Sequence, residues 1–169
     1  MKGKGLTMKS KHILGLDISL TSTGYAVIEL FEDGTLKLVD IGRIKTYAKD
    51  TDGVRLKKIK ARLDVLFNLY PISFVARERG FTKGNLATQQ IFKATGVCEM
   101  VVAEKGIEDI IQYAPTTIKK HLGGHGRASK EDVARGVLEY FPRTVFESDD
   151  VSDAVAVVLT LLKDKGVIL

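Results

Sequence analysis

The most constraining stretch lies near the end of the chain, where Ala154, Val155, Ala156, Val157, Val158, Leu159, Leu161 and Leu162 follow one another almost without a polar break. From Ser148 to Lys163 the segment reads as a helix, and a helix apolar on nearly every side belongs inside a fold. Asp150 and Asp153 enter it three residues apart, so their side chains share one face. First-turn carboxylates have a plain role in complementing the positive end of the helix dipole, which suffices for Glu147 and Asp149. Asp153 sits a turn further in, where burial without a partner is costly. A divalent cation would offset that cost.

The remaining segments show what surrounds this helix. His12–Leu16 is an apolar run with Asp17 at its end, a buried strand. Thr23–Phe31 alternates as a second strand, and Asp33-Gly34 is a hairpin signal leading to a third at Leu36–Ile44. Asp52 is placed to cap a helix reaching Leu69, with Val54, Ile59, Leu63, Leu66 and Phe67 on one face and Pro71 ending it. Ile72–Ala76 is β-branched and apolar, a short central strand that delivers Glu78. A glycine-containing loop, Gly80–Gly84, leads to Asn85, which caps a long helix to about Glu104 with Gly106 as its stop. Asp109–Ala114 reads as a fifth strand, and Thr116–Leu122 and Ser129–Tyr140 as helices. Three meandering strands followed by alternating helices and strands imply an α/β protein, a five-stranded mixed sheet flanked by helices, in the order of the ribonuclease H-like architecture. Residues 11–169 are expected to form one domain behind a loose basic tail, residues 1–10.

Charge placement says more than its sum. The net charge is +5, with cations gathered in Arg77–Lys83 and Lys119–Arg135 and acids in Glu147–Asp153. Carboxylates crowded into one stretch of a basic protein suggest a metal site beside a phosphate-binding surface. No apolar run approaches the roughly 18 residues of a membrane span. The single cysteine, Cys98, excludes an internal disulfide and fits a reducing cytoplasm.

Taken alone, Asp17 reads more easily as a turn carboxylate bonded to nearby amides. Glu78, between Arg77 and Arg79, could likewise be a surface ion pair. Together they imply more, because two acids at neighbouring strand ends repel unless a cation lies between them. With Asp150 and Asp153 they make four carboxylates on three separated elements, a set suited to magnesium, which prefers oxygen ligands. Two such ions can activate water and stabilise the leaving oxygen in phosphodiester cleavage, and manganese could substitute. Histidines and cysteine do not cluster at zinc spacing, and no Ser/His/Asp set suggests a serine nucleophile.

Phe81, in a loop with Arg79, Lys83, Gly80 and Gly84, could stack on an unpaired base while the cations hold phosphates, or equally anchor the loop in the core. Lys119, Lys120, Arg127, Lys130 and Arg135 could be a solvated helix face. Gly123, Gly124 and Gly126 interrupt that run and allow close backbone approach to phosphate, which favours nucleic-acid contact. Gly96 and Cys98 on the long helix suit packing, Gly96 by admitting a close helix crossing.

The ordered set resembles the RuvC family of Holliday-junction resolvases. Ile13-Leu14-Gly15-Leu16-Asp17 with Thr23-Gly24-Tyr25 is similar to the opening acidic strand and turn. Val75-Ala76-Arg77-Glu78-Arg79-Gly80-Phe81 resembles the second acidic motif, and Asn85 to Ile107 the dimerising helix. Ile118-Lys119-Lys120, Gly124-His125-Gly126-Arg127-Ala128 and Lys130 are similar to the basic DNA-binding segment, and Asp150-Val151-Ser152-Asp153-Ala154-Val155-Ala156 to the closing acidic helix. The resemblance runs from Lys11 to Leu162. It implies a homodimer that nicks opposed strands of a four-way DNA junction, leaving 5′-phosphate ends. Asp17, Glu78, Asp150 and Asp153 would be metal ligands, Phe81 a wedge at the opened centre, and Lys119 and Lys130 contacts near the scissile phosphate. Departures are Ile18-Ser19 in the first turn, Arg77 before the glutamate, and the N-terminal extension, which suggest a divergent, phage-borne member. Three rivals stay in view: an actin- or Hsp70-like nucleotide-binding fold, for which 169 residues leave no second lobe; a non-catalytic nucleic-acid-binding relative, whose expected loss of carboxylates is not seen at these four acidic positions; and a related nuclease cutting structured RNA.

Overall fold

The computed structural model describes residues 10–80, 84 and 86–169. Most of the expected tail, together with Phe81, Lys83 and the expected cap Asn85, therefore lies outside the described residues. The elements run β1 (Lys11–Asp17), β2 (Ser22–Leu30), β3 (Leu36–Lys45), α1 (Asp52–Leu69), β4 (Ile72–Glu78), α2 (Leu86–Glu104), β5 (Ile111–Tyr113), α3 (Pro115–Gly123), α4 (Lys130–Tyr140) and α5 (Asp149–Asp164). They form a five-stranded sheet in the order β3-β2-β1-β4-β5. The first three strands meander antiparallel, whereas β4 lies parallel to β1 and β5 parallel to β4.

The turn chemistry behaves as the residues dictate. Gly34 closes the β2–β3 hairpin at φ 84°, a backbone that side chains rarely adopt, and the Asp33 carboxylate accepts from Thr35 N at 2.8 Å. Gly106 stops α2 in the same left-handed region, at φ 80°. Ser129 and Asp132 make a reciprocal capping box at the start of α4.

Two expectations for α1 need correction. Its cap is Thr51, whose hydroxyl accepts from Val54 N at 3.4 Å, while Asp52 in the first turn pairs with Lys93 at 2.7 Å. Val54 is 46% exposed, and Arg55 turns inward in its stead. The reason lies across the sheet end. Arg55 finds hydroxyl partners there, the buried Thr46 Oγ1 at 2.9 Å from Nε and Thr21 Oγ1 at 3.0 Å from an Nη. The fifth strand is also shorter than Asp109–Ala114, because only Ala76, Arg77 and Glu78 of β4 pair with it.

Side chains alternate across the sheet, so each strand feeds two cores. On one side Ile13, Ala26, Ile28 and Ala76 pack under α5, α3 and α4. On the other, Leu14, Leu16, Val27 and Val75 meet α1 and α2 through Ile59, Leu63, Leu66, Ala94, Cys98 and Val101. Nine consecutive residues of α5, Ala154 to Leu162, are buried, as so apolar a helix requires. No helix among the described residues is long and apolar enough to cross a membrane.

Candidate metal centre

Strand parity aims the first two carboxylates. Asp17 shares the face of Ile13 and Gly15, and Glu78 the face of Ala76, so both turn toward α5. They stand at the same sheet end because β1 and β4 are parallel neighbours, with Leu16 opposite Arg77. The other two arrive on α5, which lies unusually close to the sheet. A methyl added at Gly15 would come within 2.0 Å of Ala154 O, and one added at Gly24 within 1.9 Å of Asp150 O. Only glycine at both positions lets the α5 backbone settle there and bring its first turns over the ends of β1 and β2. Ser22, at the start of β2, then donates its hydroxyl to Asp150 Oδ2 at 2.5 Å and fixes that carboxylate.

The electrostatics bind the four into one group. Burial pushes the Asp17 carboxyl from its usual 3.8 up to about 7, with Asp153, Asp150 and Glu78 adding like-charge repulsion in that order. Glu78 is raised by burial and then by Asp153, while Lys130 and Lys119 act against the rise. Asp153 is raised by burial, opposed by Lys130 and assisted by Asp149 and Asp150. No three acids, imidazoles or thiols among the described residues stand close enough as placed to enclose an ion. Coordination therefore needs the carboxylates to turn toward one another about their side-chain torsions. Their oxygen-only donor set, part-buried and mutually repelling, suits a hard divalent cation.

The basic residues divide. Lys130, at the start of α4, faces Asp17, Glu78 and Asp153 and pairs with exposed Asp149 at 3.8 Å. Lys119, one turn into α3, faces Glu78. Lys120, Arg127 and Arg79 are exposed beyond this group. Arg135 pairs with Asp132 on its own helix. Arg77 departs from the flanking-arginine picture of Glu78. Its side chain leaves on the opposite sheet face, reaches Glu99 at 3.8 Å and donates to the main-chain carbonyl of Glu78 at 3.3 Å. Glu78 is thus free of an arginine clamp among the described residues and is turned toward the acid group.

Sequence reasoning passed over Ser22 and the docking role of Gly15. A glycine inside an apolar strand was the available signal for the latter, since it weakens a strand unless another backbone comes close.

The crossover junction endodeoxyribonuclease RuvC family model matches residues 13–161. A RuvC of Prochlorococcus marinus subsp. pastoris is 34% identical over 155 residues, covering 91% of this chain and 98% of its own. One from Alkaliphilus metalliredigens is 33% identical over 150 residues, covering 86% and 88% respectively. Among solved structures, T. thermophilus RuvC in complex with Holliday junction substrate superposes with a TM-score of 0.81 at 26% identity, over 89% of this chain and 92% of that one. The yeast mitochondrial Holliday junction resolvase Ydc2 shares the fold, with a TM-score of 0.67 at 10% identity over 93% of this chain and 80% of that one. With its acid-tipped strands, its glycine-seated helix and a family match spanning nearly all of it, the chain belongs to the RuvC family of crossover junction endodeoxyribonucleases.

Proposed function

We propose that this protein resolves four-way DNA junctions by paired magnesium-dependent nicks, with Asp17, Glu78, Asp150 and Asp153 as the metal ligands. The observation that carries the reading is that β1, β4 and α5 bring these four carboxylates within electrostatic reach of one another, beside Lys119 and Lys130. When bound, a pair of magnesium ions supplies an activated water and stabilises the leaving oxygen in phosphodiester hydrolysis, with manganese a workable substitute. Asp17 is the common member, touching the field of the other three acids. Ser22 holds one oxygen of Asp150 and leaves the other for coordination. Lys130 and Lys119 offset negative charge where a DNA phosphate would join the carboxylates, and Lys120, Arg127, Arg79 and Lys83 extend the basic surface to the junction arms. Phe81 stacks at the opened centre of the junction. The working unit is a homodimer built on α2, acting on DNA in the cytoplasm. The family's DNA substrate leaves the structured-RNA reading without support.

The test separates chemistry from binding. Asp153→Asn should abolish nicking of a synthetic four-way junction in magnesium while binding the junction as the parent does, because the basic surface is intact. Cleavage at the parent rate would remove Asp153 from the centre. Lys119→Ala should weaken binding and lower its salt dependence by about one counterion. An unaltered slope would put Lys119 away from phosphate.

A further inference from the structure

The corner between β3 and α1 carries charge and an aromatic ring that the acid group does not account for. From Lys45 to Lys58, five cations stand against two acids, Asp50 and Asp52. Strand register places this corner beside the four carboxylates. Lys45, the last residue of β3, lies opposite Ser22 of β2, and residues so paired put their side chains on one face with Cβ atoms about 5 Å apart. Ser22 meets Asp150 on that face, so exposed Lys45 rises next to the acid group, without an ion-pair partner among the described residues. Asp17 stands two strands away, on the order of 10 Å. The acids thus lie between two basic flanks, Lys45 on the β3 edge and Lys119 beyond Glu78 of β4.

The corner is held in place from inside. The buried Thr46 hydroxyl donates to Leu20 O at 2.5 Å and accepts from Arg55 Nε at 2.9 Å, while its N–H donates to Thr21 O at 2.9 Å. With the bond from Arg55 to Thr21 Oγ1, these contacts tie the corner to the β1–β2 turn that follows Asp17. Whatever binds the corner is therefore held in register with the carboxylates. On the solvent side Tyr47 is 59% exposed, with Lys58 Nζ 5.1 Å and Lys49 Nζ 5.8 Å from its ring centroid. Such contacts hold ammonium groups in position before a ligand arrives, although Lys58 also pairs with Asp50 at 3.0 Å. The patch stands clear of the α2 face. Asp52 and Lys60 mark the flank of α1 that meets α2, through Lys93 at 2.7 Å and Glu104 at 3.3 Å. Lys58 lies on the other flank, one turn before Arg62, which reaches Asp40 of β3 at 3.6 Å.

Ammonium and phenol donors, with no amide or guanidinium fork among them, suit phosphate oxygens rather than base edges. A DNA strand presents a charge about every 3.4 Å of rise, so a strand with its scissile phosphate at the acids brings another to Lys45 about three steps on. We propose that Lys45, Tyr47, Lys49 and Lys58 form a second phosphate-binding surface, which grips a junction arm on the β3 side of the cut while Lys119 and Lys130 hold the other side. The inference rests on the junction-nuclease reading and adds to it a DNA contact on a part of the fold that reading leaves unused.

Lys45→Gln combined with Lys49→Gln removes two exposed charges from the patch. Lys37→Gln combined with Lys165→Gln removes two exposed charges from the opposite ends of β3 and α5, and serves as the matched control. Binding of the full-length proteins to a synthetic four-way junction would be measured in EDTA over a series of salt concentrations. The slope of log affinity against log salt should fall by about two in the patch variant and hold within about half a unit in the control. At about 0.15 M salt the patch variant should bind at least about tenfold more weakly, and equally so for junctions of unrelated sequence, because phosphates carry no sequence information. Tyr47→Ala changes no charge and should weaken binding about fivefold at the parental slope, the usual worth of one hydrogen bond. Thermal unfolding of all three should match the parent, since every altered side chain is exposed. A parental slope in the patch variant, or an equal drop in patch and control variants, overturns the contact. Either result leaves junction nicking by the parent standing. A parent protein that nicks no junction in magnesium fails the junction-nuclease reading itself, and this contact with it.

Discussion

Asp17 shows how the proposed centre would trade stability for chemistry at the level of one side chain. Its carboxyl is raised to about 7 by burial first and by three neighbouring acids after that. The folded chain therefore holds this proton to a higher pH than the unfolded chain, whose carboxyl titrates near the usual 3.8. Stability from this group is fully present below about pH 4, falls as pH rises toward 7, and is lost above it. Asp17→Asn carries no charge to repel or desolvate. In EDTA at pH 8 it should melt a few degrees above the parent, and the gap should narrow at pH 5. Adding magnesium at pH 8 should raise the parent and leave the variant where it was. Equal melting curves at both pH values would mean that the four acids do not strain one another. Much of this was legible from residues alone, since an acid at a strand end and another a turn into a buried helix are conspicuous. Ser22 was not, because nothing in a Ser/Thr-rich turn tells which hydroxyl will meet an acid 128 residues away.

At the level of elements, α5 owes its seat to two glycines. Gly15→Ala would drive a methyl to 2.0 Å from Ala154 O and 2.6 Å from Val158 Cγ2, so the helix must lift from β1. We expect a loss of about 2–3 kcal/mol, the upper range for overpacking a core, read as a lower urea midpoint at unchanged slope. Magnesium-dependent nicking should fall further than stability explains, because Asp150 and Asp153 move with the helix. A variant with parental midpoint and activity would mean that the close approach is not needed. Sequence pattern made the elements themselves readable: an apolar run in β1, two-residue alternation in β2, apolar saturation in α5, and turn glycines at 34 and 106. Their ends were less readable. The α1 cap fell on Thr51 and its first inward residue on Arg55, and that register follows from hydroxyls of Thr21 and Thr46 at another part of the fold. The length of β5 was likewise decided by how much of β4 remained to pair with it.

For the whole molecule, the outer face of α2 poses a question that one chain does not answer. Phe92 at 57% and Met100 at 47% exposure recur four residues to either side of Gly96, forming one stripe along the helix. Gly96 itself has no reason within the chain to be glycine, since an added methyl would meet nothing within 4 Å. Glycine inside a helix costs about 1 kcal/mol relative to alanine, and that penalty goes unexplained unless a second backbone approaches there. The proposed homodimer on α2 would supply the approach and would present two metal centres to one junction. Gly96→Gln tests it with opposite signs in two measurements. In the single chain the substitution should hold or raise stability by up to about 1 kcal/mol, seen in urea unfolding at high dilution. Across the proposed interface it inserts a long side chain where the helices would cross, so sedimentation should show self-association weakened at least about tenfold. Junction cleavage at limiting protein should then release products nicked on one strand, since no partner centre is held opposite the first. A dimer of parental affinity carrying glutamine at this position would move the interface off the middle of α2.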